Sequence, residues 1–593
     1  MNEQEKWVDR IKRARKFRED DFEAPFQVKK ARQWFEGKQN PGNPENEWIT
    51  INKIYSHLLS ELPFLYSIDP YFYVKLKRSF IPDPQAIADY EQKGKIRQAY
   101  LNYLKSEIKL KEKARLGIMD AEFEYGVAKV HYSAERKDNP DKGKPIYGEN
   151  DEPLMDESGS ELLEPDTIAV NEKYRVTRIH PKHVFWDEDA GPLEDDWSWI
   201  AQRTYVMCEE AEDDPSLNKK ALEFATKLHR ERDDKKQQSA AVERPKDQKD
   251  GEVYEIYEIY DLKKGRWLKV ATGAKELVMK PKELPAGMDK HPFCILRFTV
   301  RDESPYPIPP VSQALDPQRE INEARSKVLV HRKRFNRKYE INVNMLEDPD
   351  EADKLESGED GTLIRVNGIG AVAPIRDAPL DQQSYMEIGA LNNDIFEMMG
   401  RSGESVGLSD SDSATQAALI DKRVEIREGD KLSLVTDWII EIGRKLDHLV
   451  QANITRDEAV RVVGPSGESW EIVKAQDYEA IKGDYEYSVN VGSTVPRLPQ
   501  VERQQWMALL QVIGGFPQLL TSKRFLKNMA EMHHIEDEAM IDELYQIGQM
   551  IMAGQSQPTG SSPPPGSGMT NPITALLGAG MGDYTGGGVN ASV

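Results

Sequence analysis

Cysteine is nearly absent: the chain of 593 residues holds only Cys208 and Cys294, far apart and outside any CxxC or Cys/His cluster. That excludes a disulfide framework and a thiolate zinc site. Long apolar runs are also absent; none approaches the ~18 residues of a membrane-spanning helix, so no membrane partner is expected. The N-terminus is charged from the start and has no signal-peptide core, which predicts synthesis in a cytoplasm without export. Positive charge is in deficit, with 80 Lys and Arg against 102 Asp and Glu and a net charge of −22. A protein that grips nucleic acid over its whole surface is therefore excluded, since neutralising phosphates requires clustered cations. Contact with DNA that slides past without being held is compatible with this balance.

Catalytic signatures are missing as well. There is no GxxxxGK[ST] phosphate loop, and the Gly/Ser turns at 400–403 and 464–467 supply no lysine for a phosphate. His533 and His534 lack the HExxH spacing that puts two imidazoles on one helical face. Asp410 and Asp412 open like a calcium loop, but the required Gly and closing Glu do not follow. No nucleophile elbow is present. The sequence predicts no catalytic residue, no metal and no cofactor.

What is present is periodicity. Apolar residues at helical spacing predict helices over 6–36 (Trp7, Ile11, Phe22, Trp34), over 48–62 with a stop at Pro63, and over 84–119 as one long element. Residues 71–76 read as a strand. Between 122 and 310 the texture is β: strands over 125–133, 174–179, 200–207, 253–262, 267–270 and 293–299, with a solvated helix and surface loop across 209–249. Helices return at 312–339 and 380–399, flanking a small β-rich insert. A Gly/Ser loop at 400–413 precedes a long helix at 414–453. Strands over 460–491 and helices over 500–552 follow. Residues 553–593 hold ten Gly, five Pro, five Ser and one charge, a composition expected to be disordered. The fold class is α+β, helix-rich.

Charge reverses sharply at one junction. Arg325, Lys327, Arg332, Lys333, Arg334, Arg337 and Lys338, with His331, occur without an acid between them. Residues 340–360 then carry nine acids, among them Glu347, Asp348, Asp350, Glu351 and Asp353, against Lys354 alone. The cations complement the C-terminal end of a helix dipole if the segment is merely solvated. Alternatively, the reversal serves contacts between neighbouring subunits or a passing polyanion.

Several segments, in one order, resemble portal proteins of tailed phages, most closely the short-tailed type. They are Trp48-Ile-Thr-Ile-Asn-Lys-Ile54 before Pro63; Arg178-Ile-His-Pro181, then Val184-Phe-Trp-Asp187, Ala190, Trp197 and Ile200; and Val253-Tyr-Glu-Ile-Tyr-Glu-Ile-Tyr260 with His291-Pro-Phe293. Gln318-Arg-Glu-Ile-Asn-Glu-Ala-Arg-Ser326 and Tyr487-Ser-Val-Asn-Val-Gly-Ser493 complete the succession, which spans 48–552. The resemblance implies a wing (1–311 and 414–499), two stem helices (312–339 and 380–399) around a clip (340–379), and a tunnel loop at 400–413. A helical crown (500–552) would follow. Gly400, Arg401, Gly403, Glu404, Gly407, Asp410 and Asp412 become candidates for the tunnel loop. The cations listed between 325 and 338 fall at the end of the first stem helix, and the five acids from Glu347 to Asp353 in the clip. Further implied are a dodecameric homo-oligomer at one capsid vertex of the virion and double-stranded DNA passing through its channel. The implied partners are the major capsid protein and scaffold, the terminase large subunit and the tail adaptors. Two other readings stay open at this point: a different head–tail structural protein, such as an adaptor or scaffold, and a packaging enzyme.

Overall fold

The structure, a computed structural model, describes residues 2–42, 48–79, 83–138, 142–145, 167–229, 252–335, 339–357, 363–375, 382–399, 414–453, 458–464, 467–473, 483–489 and a few positions between 522 and 549. Contacts divide the chain into a large unit, residues 1–460 and 471–495, and a second unit, residues 461–470 and 496–593. The predicted helices over 500–552 fall almost wholly outside the described residues, and the Gly/Pro/Ser tail entirely so.

Helix Glu3–Arg18 opens on a capping box, the Asn2 side chain accepting from the Glu5 amide while Glu5 accepts from the Asn2 amide. The predicted 6–36 helix is interrupted: a π-turn at Glu19–Glu23 and Gln27 at φ 48° redirect the chain into helix Val28–Phe35. The next helix, Lys53–Leu65, runs through Pro63 rather than stopping there. The single helix expected over 84–119 is two, Pro84–Glu107 and Leu110–Phe123, separated by Lys109 at φ 52°. The break re-aims the chain so that Leu110, Ala114, Ile118 and Phe123 all become buried.

Two antiparallel sheets form the centre. Gly126–Asp138 lies between Phe293–Leu296 and Thr167–Arg178 in one. In the other the order is Val184–Trp186, Trp199–Met207, Glu252–Asp261, Arg266–Ala271, Met279–Glu283, with Lys227–His229 also pairing to Glu252–Asp261. That central strand is covered on both faces, so its carboxylates need partners. Glu258 accepts from Lys129 at 2.6 Å and Tyr260 at 2.8 Å, and Glu255 from Thr272 at 2.8 Å. Between helix and sheet lies an aromatic cluster in which Tyr125 and Trp186 are 4.9 Å apart, and Tyr306 is 5.0 Å from both Trp186 and Phe22. The polar text after 209 was expected to be solvated. Instead, short helices Cys208–Asp213 and Lys219–Leu222 bury Ala211, Leu217, Ala221 and Leu222 against Tyr254 and Ile256. Small apolar residues widely spaced among charges carry too weak a periodicity to announce that core.

The long helix, Ala414–Asn453, runs unbroken for 40 residues with the bounds its periodicity predicts. Leu432, Val435, Ile439, Ile442, Leu446 and Leu449 are all buried, as their spacing required. Gly443 provides proximity, since a Cβ there would enter the Phe72 ring. Two further glycines stack three elements closely: a Cβ on Gly117 would lie 2.6 Å from the Trp438 ring, and one on Gly126 2.5 Å from the Gly117 carbonyl. Gly126→Ala is therefore expected to lower stability by about 1–3 kcal/mol, measured as a shift in the urea midpoint, because backbone cannot yield as a flexible side chain does. The large unit is closed by a pairing across most of the chain, Phe72–Ser79 against Gly483–Val489, antiparallel.

Candidate functional site: a helical hairpin and its insert

Helix Leu315–Phe335 leaves the body and helix Gln382–Met398 returns to it. Leu315 and Ile321 share a core with Ile395 and Met399, so the helices run antiparallel with both roots in the same place. The outgoing helix is fixed by hydrogen bonds as well as by packing. Gln318, Asn322 and Ser326 lie one helical turn apart on one face and are buried. Gln318 Oε1 accepts from the Lys53 amide at 2.9 Å and its amide donates to the Ile51 carbonyl at 2.7 Å. Asn322 Oδ1 accepts from the Ile51 amide and Ser326 Oγ from the Ile49 amide, both at 2.9 Å. Asn322 also donates to Gln39 Oε1 at 2.6 Å. Alternate amides of the extended segment 49–53 thus match successive helical turns. These three residues belong to the 318–326 stretch that carried the resemblance, but their spacing was not read as a ladder.

The insert between the helices is small and mixed rather than β-rich. Tyr339–Ile341 pairs with Val372–Pro374, Leu346 bridges Val366, and helix Glu351–Ser357 lies between. Among its described residues only Leu346, Glu351 and Ala371 are buried. Seven large apolar side chains are exposed: Tyr339, Val343, Met345, Leu363, Val366, Ile369 and Ile375, with Leu363 at 85% and Ile369 fully so. A segment this short cannot make a core of its own, and exposed apolar surface of this kind is characteristic of interfaces.

The candidate charges divide. Arg325, Lys327, Arg332 and Lys333 are exposed or nearly so on the outgoing helix. The side chain of Arg334, and Arg337 and Lys338 altogether, lie outside the described residues. Glu347, Asp348, Asp350 and Asp353 are exposed in the insert. Glu351 differs: it is buried, pairs with Lys354 at 2.6 Å and accepts from the Arg365 amide at 3.1 Å, which holds its carboxyl below the usual range. It ties the insert together and is not a docking acid. Among the described residues no ion pair joins Arg325, Lys327 or Arg332 to the insert acids. The whole 400–413 loop, with Gly400, Arg401, Gly403, Glu404, Gly407, Asp410 and Asp412, lies outside the described residues.

Where the hairpin meets the body, Lys431 of the long helix sits between two buried acids, 2.6 Å from Glu61 and 3.0 Å from Glu122. His57 Nε2 lies 2.9 Å from Glu61. Burial opposes the Glu61 charge, but His57 and Lys431 outweigh it and hold its carboxyl down at about 2. Burial, reinforced by the Glu61 charge, pushes Glu122 up to about 7 despite Lys431. Met398, Met399, Arg427 and Glu428 line the adjacent pocket, and Arg427 donates to the Glu397 carbonyl at 2.9 Å, clasping the returning helix to the long one. This cluster had no sequence signal, because its members are hundreds of residues apart.

The family of phage P22-like portal proteins matches residues 167–561, most of the chain, and the protein belongs to that family. No curated protein matches it. The match includes both hairpin helices, the insert and the long helix, and begins after the 48–63 passage. The family is one of structural, non-enzymatic phage head components that oligomerise and contact the capsid. Among the described residues no helix is long and apolar enough to cross a membrane.

Proposed function

We propose that the chain forms a dodecameric portal ring at one capsid vertex, the channel through which DNA is packaged and ejected. In this reading the sheets and long helix form the wing, the hairpin helices the stem, the insert the clip, and 500–552 the crown. The terminase large subunit docks at the clip during packaging and the tail adaptors afterwards, while the wing meets the major capsid protein and scaffold. The net charge of −22 suits a conduit, since phosphate is not held by an acidic wall. Residues 400–413 act as a tunnel loop facing the DNA.

The observation that carries this reading is the insert. It presents seven exposed apolar side chains at the end of two helices, a surface that no described residue covers and that another chain can. Replacing Leu363 and Ile369 with Ser is expected to leave the unfolding midpoint of the unassembled chain unchanged, as neither side chain is buried. The ring fraction by sedimentation and negative-stain microscopy should fall, since each side chain buried on assembly contributes about 1.5–3 kcal/mol. Rings at wild-type yield in the double variant would remove the insert from the assembly surface. Deleting 404–411 should preserve rings but impair packaging or retention of DNA.

A further inference from the structure

The two hairpin helices carry opposite net charge on surfaces that no described residue covers. On the outgoing helix, Arg325, Lys327 and Arg332 are exposed and make no ion pair among the described residues. The returning helix Gln382–Met398 contains no Lys or Arg at all, and its acids Glu387, Asp394 and Glu397 are exposed and likewise without an ion pair among the described residues. On a helical wheel at 100° per residue these three acids fall within about 80° of one another. Beside them the helix also exposes Met386 and the small Ala390.

We propose that these faces are the two halves of one head-to-tail interface, the cationic helix of one copy lying against the acidic helix of the next. The inference rests on the ring reading for the presence of a next copy, and it names which surfaces meet. Rotation about a ring axis preserves height along that axis, so groups at equal height on the two helices are the ones brought together. Counting about 1.5 Å per residue from the common root, Arg325 and Lys327 stand roughly 15 and 18 Å up the outgoing helix, and Glu387 roughly 18 Å up the returning one. Asp394 and Glu397 lie lower, level with Asp316, Arg319 and Glu320, where Arg319 already pairs with Asp316, so Glu387 is the acid that meets the cations. The partner of the basic helix is thus the neighbour's second helix rather than the acidic insert.

Charge reversal tests this in a way that a purely structural role cannot imitate. One variant carries Glu387→Lys; a second carries Arg325→Glu and Lys327→Glu. All three positions are exposed, so both chains should keep the wild-type unfolding midpoint. Each alone sets like charges across every interface, and its association should weaken several-fold per interface at low salt. Mixed in equal amounts they should recover rings with the two chains alternating, because each basic face then meets an acidic one. A single chain carrying all three changes should assemble unaided. Rings from either variant alone at wild-type yield, or failure of the folded variants to rescue each other, overturns the interface while leaving the portal reading intact. A wild-type chain that forms no ring under any salt condition overturns the ring reading itself.

Discussion

Replacing Lys431 with methionine is expected to lower stability by about 3–5 kcal/mol at pH 8, because it leaves two buried carboxylates without their shared cation. The loss should shrink toward pH 5, where those carboxylates can take up protons. In the wild-type chain the two acids act with opposite sign. Glu61 is depressed from 4.5 to about 2, so its contribution is present above about 4.5 and disappears as pH falls through 2. Glu122 is raised from 4.5 to about 7, so its contribution is complete below about 4.5 and is lost as pH rises through 7. The cluster is therefore most favourable between those limits. Glu122→Gln should remove the alkaline loss and add up to about 3 kcal/mol at pH 8 while changing little at pH 5. Urea unfolding of both variants at the two pH values checks this; equal effects of Lys431→Met at pH 5 and pH 8 would show that the carboxylates are not its partners.

Arg18→Met should be at least as damaging, by about 3–5 kcal/mol, and Arg18→Lys should recover only part of the loss. The Arg18 guanidinium is 2% exposed and uses its whole fork. Nε donates to Glu23 at 2.6 Å, Nη2 to Glu124 at 2.6 Å, and Nη1 to the Tyr125 hydroxyl at 2.9 Å, to the Val184 carbonyl at 3.1 Å and to the Pro181 carbonyl. Arg32 reaches Glu124 at 2.7 Å and Asp120 at 3.2 Å, and Arg178 closes on Asp120 at 2.7 Å. An ammonium group cannot serve such divergent acceptors. This network joins helix Glu3–Arg18, which precedes the family match, to strands inside it. Loss of Arg18 should therefore appear first as proteolytic cleavage within residues 1–35, before global unfolding. Cleavage only after the global transition would mean the N-terminal helix is held by other contacts.

The legible parts of this fold were those written in one stretch of sequence. The long helix announced itself through eight apolar positions at steady spacing, and the strand Glu252–Asp261 through its run of Tyr, Ile and Val. Breaks were illegible where no Pro or Gly marks them: Lys109 and Gln27 adopt left-handed backbone because of what the following helix must bury. Nor did anything in the sequence announce that Gly443 provides room for the Phe72 ring. In the hairpin, attention fell on the dense cations of 325–338 and missed the quieter signal, a 17-residue helix with acids and no base. An absence of one charge is harder to notice than a cluster. The Lys431 cluster and the Arg18 network were beyond reach, since Glu61, Glu122 and Lys431 meet only after the chain has folded back on itself.

The pairing of Phe72–Ser79 with Gly483–Val489 sets a clock on biogenesis. The second strand leaves the ribosome about 400 residues after the first, and at ~5–20 residues per second that is a delay of roughly 20–80 s. Throughout it, the edge of Phe72–Ser79 that Gly483–Val489 will occupy stands open, the kind of template on which nascent chains pair wrongly. Crowded polysomes making this protein would then expose many such edges at once, and slower translation would lengthen the hazard. The subunit becomes safe to assemble only after Gly483–Val489 has emerged and paired.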